Sequence, residues 1–230
     1  RPLEGLVSPN DQKDLLNTLE GFWATISNRK VNVKDEVPYE VNISLYDAMK
    51  GTIADGEDEW QKQRFICAHT ILLALEGIPA FYIHSLLATE NAHDLQKETG
   101  QARSINRYRW EQKTLNNKLG DAKGHHKIIF DELKRSIGIR KKQPAFHPNA
   151  TQLTLHLGNQ LFAFWRESLD RDQSIFALHN VSDKPAMVSL NELNLIGTDN
   201  WRDLLTERKF TNVKEDIELP PYGCVWISNA

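Results

Sequence analysis

A helix, a nearly unbroken apolar run, a polar loop and a second helix, followed by short β-rich runs, predict an α/β plus all-β chain: the C-terminal portion of a (β/α)8 TIM barrel followed by a small antiparallel β-sandwich domain. Three observations carry this expectation. Residues 59–76 and 124–139 place apolar side chains at helical spacing on either side of the apolar run at 78–87. That run holds two aromatics and does not alternate, which suits a strand covered on both faces, as in a parallel sheet. After Pro148 the texture changes to short runs rich in β-formers and separated by Gly, Asn, Asp or Pro. One strand cannot close a barrel, and a whole barrel takes roughly 250 residues. The remaining β/α units are therefore expected upstream of Arg1, and an opening on Arg1-Pro2 without methionine suits a piece of a longer protein.

Taken in order, residues 1–57 form a first region without a strong regular period. A helix is expected from Pro9 to about Asn28, with Ser8 as N-cap and Leu15, Leu19, Phe22, Trp23 and Ile26 at helical spacing. The mixed charges of residues 29–36 read as a loop, and the following VPYEVNISLYDAMKGT is either a short helix or an extended lip. Residues 58–142 hold the last barrel units. Their first helix carries Phe65, Ala68, Leu72 and Leu75 on one face; Gly77 then supplies the C′ position and Pro79 prevents continuation. The strand expected over 78–87 feeds a polar loop bearing Arg103, Arg107 and Arg109, and in parallel α/β folds such loops, at the carboxyl ends of strands, carry ligand-binding groups. A further helix repeats Ile129, Leu133 and Ile137 every four residues. Pro144 and Pro148 bracket the join to residues 143–230, where QLTLHL, QLFAFWRE, SIFALHNVS, AMVSLNE and ELPPYGCVWIS read as the strands of the sandwich.

Composition excludes several classes of function. A formal net charge of −3 over 230 residues points to neither nucleic acid nor an anionic membrane. No apolar run reaches the roughly 20 residues of a membrane span, mean hydropathy is −0.51, and a cytoplasmic location is expected. Cys67 and Cys224 lack metal-ligand spacing and read as buried free thiols. His125-His126 has no partner at metal spacing in the sequence, so neither a metal nor any other cofactor is expected.

The order LEGIPAFYIHSLLATEN, ARSINR, helix, LPPYGCVWIS resembles the C-terminal part of the sucrose-phosphorylase subfamily of the α-amylase clan (glycoside hydrolase family 13), whose sucrose and glucosylglycerate phosphorylases share these features. The family's Arg-x-Ile-Asn-Arg motif corresponds to Arg103-Ser104-Ile105-Asn106-Arg107, and its Tyr-Gln-Val-Asn loop to Tyr39-Glu40-Val41-Asn42. The opening RPLEGL resembles the segment just after the family's His-Asp-Gly-Ile-Gly motif, which makes residues 1–57 an insertion after barrel strand seven that carries the acceptor-site loop. The resemblance implies transfer of glucose from a small α-glucoside to inorganic phosphate by double displacement with retention, through a carboxylate nucleophile and a carboxylic acid/base. Those carboxylates are expected upstream of Arg1, and the 230-residue chain alone is expected to be inactive.

For substrate binding, the resemblance points first to Arg107, whose planar donor fork can hold two sugar hydroxyls. Tyr39 is expected to stack on the sugar. Asn42 and Tyr46 either donate hydrogen bonds to the sugar or hold the loop in shape, Arg103 either binds or braces the loop, and His84 lies near the end of the predicted strand. Two departures weaken sucrose as the substrate. Val37 stands where the family's fructose-binding aspartate would be, and the family's Asn-Asp pair is Asn91-Ala92 here. Arg29, Lys30 and Lys34 suit an anionic acceptor such as glycerate or a phosphorylated sugar. The alternatives are a hydrolase of the same clan and a non-catalytic carbohydrate-binding or interaction relative.

Overall fold

The computed structural model describes residues 5–32, 35–197 and 199–229. Lys34 and the first four residues of the RPLEGL segment lie outside this set. The chain divides into two compact units, one built from residues up to Lys62 together with Phe81–Phe130, the other from Gln63–Ala80 and the residues from Asp131 onward.

Helix α1 (Pro9–Gly21) starts where Ser8 caps it: the Ser8 hydroxyl accepts from the Asp11 amide, and Pro9 occupies the first turn. It ends seven residues before the predicted limit, because Trp23 takes a positive φ of 68° and the chain turns into strand β1 (Thr25–Lys30). Strand β1 pairs antiparallel with β2 (Glu36–Asn42), so the predicted charged loop shrinks to the turn of a hairpin with a register shift between Ser27 and Asn28. The segment left open between helix and lip is both: β2, then the four-residue helix α2 (Leu45–Ala48), whose Ser44 cap accepts from the Asp47 amide. A small hairpin, β3 (Gly51–Thr52) with β4 (Gly56–Glu57), comes next.

Helix α3 (Gln61–Ala74) forms as its apolar spacing predicts, and Gly77 adopts the left-handed φ of +84° that a helix stop calls for. The strand predicted over 78–87 does not form. Residues 78–82 are irregular, Ile83–Leu86 make a single helical turn (α4), and Ile78 is 85% exposed. The physical reason is pairing: a parallel strand needs a neighbour to take its N–H and C=O groups, and all strand pairs among the described residues are antiparallel. The predicted long loop is instead helix α5 (His93–Thr99), a 3-10 turn over Ala102–Asn106 and helix α6 (Gln112–Gly120). Helix α7 (His125–Arg140) buries the stripe His126, Ile129, Leu133, Ser136 and Arg140. No helix of the described residues is long and apolar enough to cross a membrane.

The C-terminal β domain contains β5 (Thr151–Leu155), β6 (Leu161–Glu167), β7 (Ser174–Asn180), β8 (Ala186–Ser189), β9 (Trp201–Asp203), β10 (Lys209–Phe210), β11 (Asp216–Leu219) and β12 (Cys224–Ser228). Six of them form one antiparallel sheet in the order β10-β9-β12-β7-β6-β5, while β11 pairs with β8. Alternation decides the two faces. Leu161, Ala163, Phe176, Leu178, Val225 and Ile227 join Ala186, Val188, Ile217 and Leu219 in one hydrophobic core. The intervening residues Phe164, Ile175, Ala177, His179 and Trp226 are buried too, with Phe146 edge-on to Trp226 at 4.8 Å. Both faces of the central strands are thus covered. Strands β9 and β10 were not expected from sequence, being only three and two residues long.

Candidate functional site

In the first unit, β2 and the 3-10 turn wall a cavity of about 460 Å³ lined by Glu40, Val41, Asn42, Ile43, Tyr82, Arg103, Asn106 and Arg107. Each wall has a local cause. The hairpin turns β2 so that Glu40 and Asn42 follow one another on one face. The 3-10 turn is anchored by buried Ser104 and Ile105, with the Ala92 amide donating to the Ile105 carbonyl at 2.7 Å and Thr99 Oγ1 to Ser104 Oγ at 2.7 Å. Burying those two residues leaves Arg103 and Arg107 exposed on the other side of the turn.

The two arginines are not equivalent. Arg103 Nε donates to Glu40 Oε2 at 2.9 Å, and this hydrogen bond, with Glu40's charge, raises the already high pKa of the guanidinium. The Arg107 side chain has no hydrogen bond or ion pair among the described residues. Its donor fork is therefore the available one for two vicinal hydroxyls or an anion. Glu40 is the residue that makes the difference, and sequence reasoning passed over it. Its signal was present: the family loop has glutamine at this position, and a carboxylate there can neutralise Arg103.

Of the remaining candidates, Asn42 lines the cavity but is 4% exposed, and its amide donates inward to the Thr25 carbonyl (2.9 Å) and Ser27 Oγ (2.8 Å). Those bonds fasten the hairpin and leave its amide protons engaged. Tyr46 lies apart, buried and stacked on His125 at 4.7 Å; burial, then the nearby Glu90 and Asp47 charges, push its hydroxyl pKa up to about 12. Tyr39 is on β2, half exposed, and does not line the cavity. His84 is likewise outside it; its Nδ1 meets Thr89 Oγ1 at 3.2 Å, and burial lowers its pKa. Tyr82 is a lining residue that sequence reasoning did not name: it sits edge-on to His84 and donates from its hydroxyl to the Asn106 carbonyl at 3.0 Å. Ala92, where the family has aspartate, is buried and does not line the cavity.

Arg29 lines a second cavity, of about 710 Å³, with Lys13 of α1, Val37 and Pro38. It does not share the Arg107 cavity.

Comparison with known proteins bears on this arrangement. Residues 153–226 match the family model described as the maltogenic amylase C-terminal domain. The chain is 33% identical over 226 residues to the glucosylglycerate phosphorylase of Allomeiothermus silvanus, covering 98% of this chain and 38% of that protein. It is 28% identical, with the same coverage, to the protein of that name from Escherichia coli. The chain is thus similar to glucosylglycerate phosphorylases over nearly its whole length, and to a maltogenic amylase C-terminal domain over residues 153–226. Among solved structures, AmyP in complex with maltose gives a TM-score of 0.63 at 13% identity, covering 80% of this chain and 37% of that one. The α-amylase of Geobacillus thermoleovorans complexed with acarbose gives 0.59 at 16%, covering 81% and 36%. At these identities the likeness shows the fold alone. The chain spans about two fifths of the length of the curated relatives it matches.

Proposed function

We propose that this clan member supplies the sugar-binding wall of a retaining α-glucoside phosphorylase that moves glucose from a charged glucoside, glucosylglycerate ahead of sucrose, to phosphate. The observation that carries the reading is the cavity beside the 3-10 turn, where Glu40 occupies Arg103 and leaves the Arg107 fork available. Relatives named glucosylglycerate phosphorylase align over nearly the whole chain, and Val37 and Ala92 remove polar groups the family uses for sucrose.

In this reading Arg107 holds two hydroxyls of the glucosyl unit, a donor pattern that strengthens as the ring flattens toward the oxocarbenium-like transition state. Glu40 fixes Arg103 as the rigid rim of the cavity, and Tyr82 supports the turn through its bond to Asn106. The irregular residues 78–82 become the last strand of the barrel when neighbouring strands are present to pair with them, with the turn α4 following it. The attacking and protonating carboxylates belong to those other β/α units. Phosphate then takes the glucosyl group from the covalent intermediate in place of water.

The test is product analysis. The full-length protein, given glucosylglycerate, sucrose and a plain α-glucoside with and without phosphate, is expected to release α-glucose 1-phosphate, with glucosylglycerate preferred. Free glucose at the same rate with or without phosphate would establish the hydrolase reading instead.

A further inference from the structure

We propose that Glu90, His125 and His126 form a binding site for one divalent transition-metal ion of zinc(II) type, which ties the turn after α4 to the first turn of α7. One carboxylate oxygen of Glu90 and one ring nitrogen from each histidine all lie within 4.8 Å of one another. The sequence conceals this set. The two histidines are adjacent, and their third partner is 35 positions upstream on a different element.

Three features distinguish the cluster from an accidental one. The first is tautomer control: His126 is buried and its Nδ1 is committed to the Leu87 carbonyl at 2.7 Å, which leaves Nε2 for a ligand. A ring nitrogen bonded to a backbone carbonyl is the usual outer-shell arrangement of a metal-bound histidine. The second is an unsatisfied atom. Nε2 of His125 is buried and has no hydrogen-bond partner among the described residues, a costly state for a polar atom unless something else occupies it. The third is orientation by packing. His125 stacks flat on Tyr46 (4.7 Å, 7°), Trp110 stands edge-on to His126 (5.3 Å, 88°), and the two imidazoles are 4.0 Å apart. Ala88, fully buried at a positive φ of 47°, turns the backbone between Leu87 and Glu90, a strained conformation for alanine that the surroundings must hold in place.

Two nitrogens and one carboxylate suit zinc(II), with a fourth tetrahedral position left for water. Zinc–ligand bonds of about 2.0–2.1 Å put donors roughly 3.3 Å apart around the ion. The exposed Glu90 side chain can close that difference, whereas the packed histidines need not move far. The positive end of α7 opposes a cation, and the Glu90 carboxylate answers that charge.

The experiment uses the full-length protein, stripped with a chelator and titrated with zinc(II) by calorimetry, and with cobalt(II) while its ligand-field absorption is followed. Unmodified protein is expected to take up one more metal ion per chain than His125→Ala, and to show a tetrahedral-type cobalt band that His125→Ala lacks. Glu90→Gln is expected to weaken that site at least tenfold. The zinc-induced rise in melting temperature should shrink in both variants. His126→Gln risks the fold, since Nδ1 holds Leu87, but the other two substitutions involve a half-buried and an exposed residue and keep the test decisive. Equal stoichiometry and equal affinity in unmodified protein, His125→Ala and Glu90→Gln would overturn the proposal, as would the absence of saturable zinc binding.

Discussion

The contrast between Arg103 and Arg107 shows how little of a residue's role its motif contains. Both belong to the same five-residue motif, and the resemblance sets Arg107 ahead of Arg103 without saying what occupies either side chain. What separates them is Glu40, 63 positions away from Arg103 and brought to it by the hairpin. Arg107's candidacy was legible because the motif names it; Arg103's occupation was not, because a contact at that separation has no local pattern. Asn42 is the converse case. Sequence left it open between a sugar contact and a brace for the loop, and its amide protons go to Thr25 and Ser27. Asn42→Asp replaces a double donor by an acceptor facing a carbonyl and a hydroxyl. It is expected to destabilise the protein by roughly 1–3 kcal/mol, measured as a lowered midpoint in urea, whereas an unchanged midpoint would show those bonds to be dispensable.

At the scale of elements, the end of α3 is held by two buried arginines. Arg166, fully buried, donates to the Ala74 carbonyl at 2.9 Å, His147 at 2.8 Å and Thr151 at 3.2 Å, while Arg140 donates to the Leu73 and Gly77 carbonyls. Terminal carbonyls of a helix need such donors. Burial, then the neighbouring Arg140 charge, lowers the Arg166 pKa to about 10, which still leaves it charged at neutral pH. Arg166→Ala leaves several buried carbonyls without a donor, each worth about 1–3 kcal/mol, and thermal unfolding is expected to fall by several degrees or more. His179 on β7 gives a pH dependence. Burial lowers its pKa to about 4, against about 6.5 in the unfolded chain. Between those values the unfolded state binds more protons, so stability declines as pH falls from 6.5 toward 4, by roughly 3 kcal/mol for this residue. His179→Gln should flatten that part of the stability profile; an unaltered slope would assign it to other groups. Strands β5 to β8 and β12 were readable because alternation is a local property. The strand predicted over 78–87 was not, because strand formation there depends on neighbours, and periodicity reports burial rather than pairing.

For the whole molecule, the C-terminal β domain was visible in the order of elements, the family model matched over residues 153–226 agrees with it, and solved structures such as AmyP share the fold. Binding and bond breaking are assigned to different parts of the protein in this account. The isolated 230-residue chain is accordingly expected to fold its β domain yet release no α-glucose 1-phosphate from any α-glucoside, and detectable phosphorolysis by it would contradict that division. The most direct test of the central claim compares Arg107→Ala and Arg103→Ala in the full-length protein, by kcat/KM for glucosylglycerate phosphorolysis. Loss of a bidentate charged contact, at about 1.5–3 kcal/mol per hydrogen bond, predicts a fall of about a hundredfold or more for Arg107→Ala and a distinctly smaller one for Arg103→Ala. Equal losses, or an Arg107→Ala enzyme as active as the unmodified one, would contradict the assignment of Arg107 as the group that holds the sugar.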